Sequence, residues 1–387
     1  MNGKRYPEQL KDLPTPFYLY DMDLLRATLE RATREAERYG YRVHYALKAN
    51  FHPRILTEMK RYGLGADCVS GNEVRAAIEA GISPQDIVFA GVAKSDDEIR
   101  YVLEQDIFSF NCESLEELEV IDALAERAGR KARIALRLNP DVDPMTHKYI
   151  STGKADNKFG IPYGEAEEAI RQTARLRRLE IVGLHFHVGS QIRDFSVFEA
   201  LSRKVNRLQK WFDGLGVRLS HINVGGGLGI DYDDPVSEPI PDFEGYFRTF
   251  HRNLELRPGQ TLHFELGRSL VAQCGELLTR VLFTKTTAGG KRIALVDAGM
   301  TDLIRPALYQ ARHRIENLTA NDTEKRMCYT VAGPVCESSD VFAHDLELPE
   351  TRRGDLLTIL SAGAYGRSMS SNYNLREMTR EIFSDEF

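Results

Sequence analysis

From Asp21 to about Leu270, short apolar runs alternate with amphipathic stretches, and the alternation repeats eight times. The runs fall at 42–49, 65–69, 86–92, 107–111, 132–139, 179–188, 219–225 and 262–267. Between them, apolar residues spaced by three and four predict helices, as over 114–128, 163–178 and 195–215. Strand and helix alternating eight times over roughly 250 residues is the pattern of a parallel (β/α)8 barrel. A doubly wound open sheet is the competitor. The barrel is preferred because polar residues finish several different strands, which is how barrels assemble a site at their C-terminal face. After Leu270 the pattern changes to β-type runs at 277–284, 292–297, 327–331 and 356–360, with Gly289-Gly290 and Asn321-Asp322 as turns. Phe17 to Tyr20 is also strand-like and is placed to join that C-terminal sheet. The expected organisation is a barrel over 22–270 and an all-β domain made of 1–21 plus 271–387.

Composition narrows the class without changing this picture. The 387 residues are 42% hydrophobic and 28% charged, with a net charge of −6, as expected of a globular chain of two domains. No basic block suggests nucleic acid as a partner, and no run approaches the ~18 apolar residues of a membrane span. Met1 to Lys11 is polar and charged, so neither a secretory signal nor a lipid anchor is expected, and the expected location is cytoplasmic. The five cysteines (68, 112, 274, 328 and 336) show no CxxC spacing, which argues against both a disulfide framework and a zinc site.

Three strings at the ends of apolar runs carry the chemistry: Tyr45-Ala46-Leu47-Lys48-Ala49-Asn50, His187-Val188-Gly189-Ser190-Gln191, and Gly225-Gly226-Gly227-Leu228-Gly229. Singly, each has a plain reading as a solvated lysine, a packed histidine or a turn. Together they offer an amine for an aldehyde, a flat ring and backbone N–H groups for a phosphate, which is the set that pyridoxal phosphate requires. Asp67 and Ser70 close the second run and Asn139 the fifth. His185 and His187 share a strand face as a metal pair would, but no nearby carboxylate or cysteine completes a ligand set. The string GGGLG lacks the GxGxxG spacing of a dinucleotide site. The eighth run ends in Glu265-Leu266-Gly267-Arg268, where the carboxylate either meets a pyridine nitrogen or forms an ordinary ion pair with the arginine.

With these strings stand Asp143 to Ile161 (DPMTHKYISTGKADNKFGI), RPALYQ from Arg305, CESSD from Cys336 and AYGRSMSSNYN from Ala364. In that set and order the chain resembles, over nearly its whole length, the fold-type III pyridoxal phosphate decarboxylases. These pair an alanine-racemase-like barrel with a β domain, and among them the diaminopimelate decarboxylases are the most similar. Leu266 departs from the pattern, where the family usually has proline.

The resemblance implies pyridoxal 5′-phosphate as cofactor and decarboxylation of meso-2,6-diaminopimelate to L-lysine and carbon dioxide. It implies that Lys48 bonds the cofactor aldehyde, His187 stacks on the ring, and Ser190, Gly225, Gly226, Gly227 and Arg268 surround the phosphate. Glu265 would pair with the pyridine nitrogen, with Asp67 and Gly267 also against the cofactor. Cys336 would protonate the carbanion and Glu337 would bind the distal amine, both reaching across a homodimer with shared active sites. Arg268, Arg305 and Tyr309 would hold the distal carboxylate, and Tyr365 would touch cofactor and substrate. Ornithine, arginine and carboxynorspermidine decarboxylases share the fold, but their cationic substrate tails need acidic partners. A non-catalytic homologue typically loses the lysine or the cysteine, and both are present here.

Overall fold

The computed structural model describes residue 10 and residues 13–139, 158–320 and 325–387. The chain divides into two units, one of 29–229 with 242–267 and one of 1–28, 230–241 and 268–387. The first strand, β1 (Phe17–Tyr20), belongs to the second unit. Eight strands then close the barrel of the first unit: β2 (Arg42–Ala46), β3 (Gly65–Cys68), β4 (Ile87–Phe89), β5 (Ser109–Cys112), β6 (Ala132–Arg137), β7 (Leu179–His185), β8 (His221–Asn223) and β9 (Thr261–Leu266). Every neighbouring pair is parallel, and β2 meets β9 with His44 opposite Glu265. All eight apolar runs therefore became barrel strands, none longer than the run that announced it.

Helix α1 (Met22–Glu37) precedes β2, and α2 (Pro53–Arg61), α3 (Gly71–Glu79), α4 (Asp96–Gln105), α5 (Leu115–Ala128), α6 (Ala166–Thr173), α7 (Ser196–Gly214) and α8 (Phe243–Asn253) follow β2 to β8. Serines start three of them. The hydroxyl of Ser70 accepts from the Glu73 N–H, that of Ser95 from Glu98 and that of Ser114 from Glu117, satisfying N–H groups that a first turn leaves unpaired. The outer layer between α7, α8 and β9 is aromatic, with Phe198, Tyr246, Phe250 and Phe264 in edge-on contacts.

Inside the barrel the strand alternation stacks polar side chains in place of the usual branched apolar layers. The lower layer holds His44, His221 and His263 around Phe108. Thr261 Oγ1 donates to His263 Nε2 (2.8 Å), His263 Nδ1 to His44 Nε2 (2.9 Å), and His44 Nδ1 to the Asp86 carbonyl (3.0 Å). Burial holds the His44 and His263 rings neutral, and since a carbonyl only accepts, it then fixes the polarity of the relay. Gly183 leaves the room that the His221 ring occupies, because a Cβ there would enter that ring.

In the second unit, β10 (Gly275–Thr286) and β11 (Arg292–Val296) form a hairpin closed at Gly289-Gly290. Short helices α9 (Arg268–Val271) and α10 (Arg305–Tyr309) flank it in sequence. With β12 (Ile315–Asn317), β13 (Arg326–Ala332), β14 (Val341–Pro349) and β15 (Leu356–Ile359), the sheet runs in the order β12-β15-β10-β11-β13-β14. The strand-like segment at Phe17 joins it as expected, with β1 antiparallel to β10 and parallel to β16 (Arg380–Phe383). Its core includes Leu10, Phe17, Leu19, Leu278 and Leu356.

Against the expected barrel of 22–270, the segments 22–28, 230–241 and 268–270 group with the sheet, and 230–241 is the internal one. The Gln273 amide donates to the carbonyls of Pro235 and Glu238, and Arg314 pairs with Asp234 at 2.9 Å, so these side chains draw the segment out of the barrel. The expected turn at Asn321-Asp322 and most of the Asp143 to Ile161 string lie outside the described residues. Among the described residues, no helix is long and apolar enough to cross a membrane.

Candidate active site

The C-terminal ends of the barrel strands gather the amine, the carboxylates and the glycine loop. Lys48 lies in a single 3-10 turn (Leu47–Ala49) just past β2, where its side chain remains partly exposed. Its Nζ stands 3.7 Å from Oδ2 of Asp67, which is buried on β3. Burial, then the charge of Glu265, pushes the Asp67 carboxyl above its ordinary range, and Lys48 opposes that shift.

Glu265, near the end of β9, is a buried carboxylate met only by donors. Asn111 Nδ2 from β5 (3.0 Å) and Asn223 Nδ2 from β8 (2.8 Å) donate to Oε1, and His185 Nε2 from β7 donates to Oε2 (2.9 Å). Burial alone would raise its pKa. The His185 ring and the Lys48 charge outweigh burial and hold the carboxyl well below the usual range, so Glu265 is an anion. The resemblance named Glu265, but Asn111 and Asn223 went unread and His185 was weighed only as a metal ligand. The signal was the strand period of two, which turns 111, 185, 223 and 265 to one interior once the barrel is closed.

His187 lies two residues past β7, and its Nδ1 accepts from the Gly226 N–H at 3.2 Å. Burial, followed by the charges of Lys48 and Arg137, pushes its pKa well down, so the ring is a neutral flat face. The glycine loop packs where side chains cannot. A Cβ on Gly226 would fall on the Glu265 carbonyl oxygen, and Gly227 has φ +112°. Ile192 N donates to the Gly227 carbonyl (2.8 Å) and Gly229 N to the Ile192 carbonyl (2.9 Å), bracing this loop against the one that carries Ser190. The Gly225 N–H goes to Asn223 Oδ1 (2.9 Å), so the phosphate cradle of the expectation is partly used within the loop itself. Gly267 is buried directly after β9.

The second unit holds another cluster. Arg268 starts α9 and Arg305 starts α10, and both are buried. Their Nη1 atoms converge on the Tyr232 hydroxyl, at 2.6 and 2.9 Å. Arg268 also lies over the Tyr365 ring, 5.0 Å from its centroid. His313 donates from Nδ1 to the Leu360 carbonyl, which leaves Nε2 to accept from Arg305 (2.9 Å). Tyr232 and His313 had no sequence signal, the former because 230–241 was read as barrel. Tyr309 closes α10, one turn after Arg305.

Cys336 and Glu337 sit on an exposed loop of this unit. Asp340 ties that loop down, accepting from the N–H groups of Val335 (2.7 Å) and Met300 (2.6 Å). Asn374 Oδ1 accepts from Cys336 N (3.0 Å), and the Tyr373 hydroxyl donates to Glu337 (2.7 Å). Among the described residues, no group of three or more histidine, cysteine or acidic side chains is placed to hold a metal ion.

A family model described as the pyridoxal-binding domain of pyridoxal-dependent decarboxylases matches residues 23–272. The chain is 50% identical over 380 residues to a diaminopimelate decarboxylase of Bacteroides thetaiotaomicron, covering 98% of each. The chain belongs to the pyridoxal-dependent decarboxylases. It is also 40% identical to a diaminopimelate decarboxylase of Aquifex aeolicus, covering 99% of this chain and 89% of that one. The crystal structure of the Helicobacter pylori diaminopimelate decarboxylase complexed with L-lysine superposes with a TM-score of 0.92 at 40% identity, covering 98% of this chain and 94% of the other. Pyridoxal phosphate is the cofactor of such decarboxylases, and the barrel mouth fits it. An amine stands beside a buried carboxyl, a neutral imidazole offers a face, Glu265 is an anion with room for one more donor, and the glycine loop carries no side chain at the strand ends.

Proposed function

We propose that this chain removes one carboxylate from meso-2,6-diaminopimelate, as a carboxy-lyase, releasing carbon dioxide and L-lysine. The observation that carries the substrate assignment is Arg305. It is a buried guanidinium whose hydrogen-bond partners are the Tyr232 hydroxyl and the His313 ring, and among the described residues no carboxylate meets it. A buried cation left without a counter-charge is costly, and the distal carboxylate of the substrate supplies that charge. The cationic tails of ornithine and arginine would add a like charge at the same place.

Bound pyridoxal phosphate supplies an electron sink for the pair released as carbon dioxide leaves. Lys48 would provide the amine that holds the cofactor aldehyde. Asp67 stands at Lys48 as the nearest carboxyl to take up its proton. Glu265, as an anion, would hold a proton on the pyridine nitrogen, and the neutral His187 ring would offer a face for the cofactor to pack on. Ser190, Gly225 to Gly227, Gly267 and Arg268 would surround its phosphate. Arg268, Arg305 and Tyr309 hold the distal carboxylate, and Tyr365 contacts cofactor and substrate. Cys336 of the partner subunit delivers the proton that replaces the departing carboxylate, and Glu337 of the partner subunit binds the distal amine. The working form is thus a homodimer.

The test is an assay for lysine and carbon dioxide from meso-diaminopimelate beside ornithine, arginine and lysine. Turnover confined to meso-diaminopimelate is expected. Equal or faster turnover of ornithine or arginine overturns the substrate while leaving the decarboxylase class intact.

A further inference from the structure

We propose that Asn223 is a positioning residue which, with Asn111 and His185, forms a cage of N–H donors that keeps the proton shared between Glu265 and the cofactor on the cofactor's ring nitrogen. The inference rests on the placement of Glu265 at that nitrogen.

A carboxylate offers about four lone-pair directions. Two on Oε1 are taken by Asn111 and Asn223, and one on Oε2 by His185. One direction on Oε2 remains, which is room for a single further N–H. A proton placed on Glu265 would compete with these donors, because a protonated carboxyl is a weaker acceptor and each buried N–H facing it would be left less well paired.

The three donors are not equally fixed. Asn111 Oδ1 and His185 Nδ1 are buried without a hydrogen-bond partner among the described residues, so only Glu265 sets how those side chains present themselves. Asn223 is held independently, because its Oδ1 accepts the Gly225 N–H at 2.9 Å. Turning that amide over would point its carbonyl at the carboxylate and break the Gly225 bond. Asn223 is therefore the member that imposes donor polarity on the cage. It also ties the first residue of the glycine loop to the carboxylate, so the element assigned to the cofactor's phosphate and the one assigned to its ring nitrogen share one side chain.

Removing a donor raises the proton affinity of Glu265 and draws the shared proton off the ring. The test uses holoenzyme reconstituted with pyridoxal phosphate carrying ¹⁵N in the ring, with free cofactor in acid and alkali marking the protonated and neutral chemical shifts. Wild type is expected at the protonated position. In Asn223→Leu the signal should move most of the way toward the neutral position, while kcat falls about tenfold or more with KM nearly unchanged. Asn111→Leu removes the other donor to Oε1 and should shift the signal in the same direction, so it decides the matter if Asn223→Leu fails to fold. A wild-type signal at the neutral position overturns the placement of Glu265 itself. A protonated wild type with unmoved signals in the loaded variants overturns the cage alone. Failure of both variants to take up cofactor overturns it too, since the role proposed is to place a proton and not to hold the barrel together.

Discussion

At the scale of single residues, the same side-chain types do opposite work according to what surrounds them. Asp67 and Glu265 are both buried carboxyls at the barrel mouth. Among the described residues Asp67 has one oxygen without a partner, and burial with the charge of Glu265 outweighs Lys48, so its pKa rises, whereas Glu265 has three donors and its pKa falls. One group is thereby suited to exchange a proton and the other to remain charged. On the proposed function, Lys48 is the amine that would bond the cofactor. Borohydride treatment of the holoenzyme followed by peptide mapping should place the cofactor on Lys48, and a label on any other lysine refutes the assignment. The arginines divide in the same manner. Arg305 is turned by His313, whose tautomer is set by the Leu360 carbonyl, so Arg305→Ala should leave the cofactor absorbance unchanged. It should lower kcat/KM for meso-diaminopimelate by about 100-fold, the equivalent of losing a charged hydrogen bond worth ~3 kcal/mol. Arg305→Lys should recover little, because an ammonium lacks the planar fork. A loss of cofactor binding in Arg305→Ala would move that residue from the substrate to the cofactor.

Among elements, the legible part of the sequence was the succession of strands and helices, and the illegible part was what the strands point at one another. Eight apolar runs are enough to place β2 to β9, yet nothing in a linear string says that Asn111, His185 and Asn223 converge on Glu265. That convergence exists only once β2 pairs with β9 and closes the barrel. Lys48, His187 and the glycine loop were readable because they lie just past strand ends. The sheet was less so: β14 carries His344, Asp345 and Glu347 within a partly exposed run, and β12 and β16 are three and four residues long, too short for a pattern to develop. The histidine layer beneath Glu265 has a measurable consequence. Burial, then the neighbouring His44 and His185, pulls His221 down to about 3 in the folded protein, against about 6.5 when unfolded. Above pH ~6.5 the ring is neutral in both states and nothing is lost. As pH falls from there toward 3 the unfolded chain alone gains the proton, so stability drops by about 1.4 kcal/mol per pH unit. Asp67 titrates with the opposite sign, its raised carboxyl favouring the folded state as pH falls, so the comparison must be between wild type and His221→Gln. The variant's denaturation midpoint should vary with pH less steeply by one proton's worth below neutrality. Parallel curves would show that His221 is not held neutral. Gly183→Ala, which drives a methyl into the His221 ring, should lower the melting temperature by several degrees through overpacking of ~1–3 kcal/mol.

For the whole molecule, the loop that carries Cys336 and Glu337 poses the question of what completes the site. Both side chains are exposed, yet the loop is braced from beneath by Asp340 and from the side by Asn374 and Tyr373, so it is a built projection. Next to it, Leu375 is 94% exposed and has φ +54°, following Asn374 at φ +56°. Asparagine tolerates the left-handed region, but a bare leucine there costs about 1–2 kcal/mol in an isolated chain. Such strain fits a surface whose shape is set by another molecule. With a second copy of this chain as that molecule, each barrel would receive Cys336 of the partner subunit, and every active site would belong to two chains. Inactive Lys48→Ala and Cys336→Ala proteins then complement each other. When they are mixed in equal amounts and their subunits exchanged, half of the dimers are mixed, and each mixed dimer has one barrel with both an intact lysine and an intact cysteine. Recovered activity should therefore approach about a quarter of wild type, rising along with the appearance of mixed dimers. No recovery after verified exchange would mean that each chain uses its own Cys336 or none, and the projecting loop would then need a different partner.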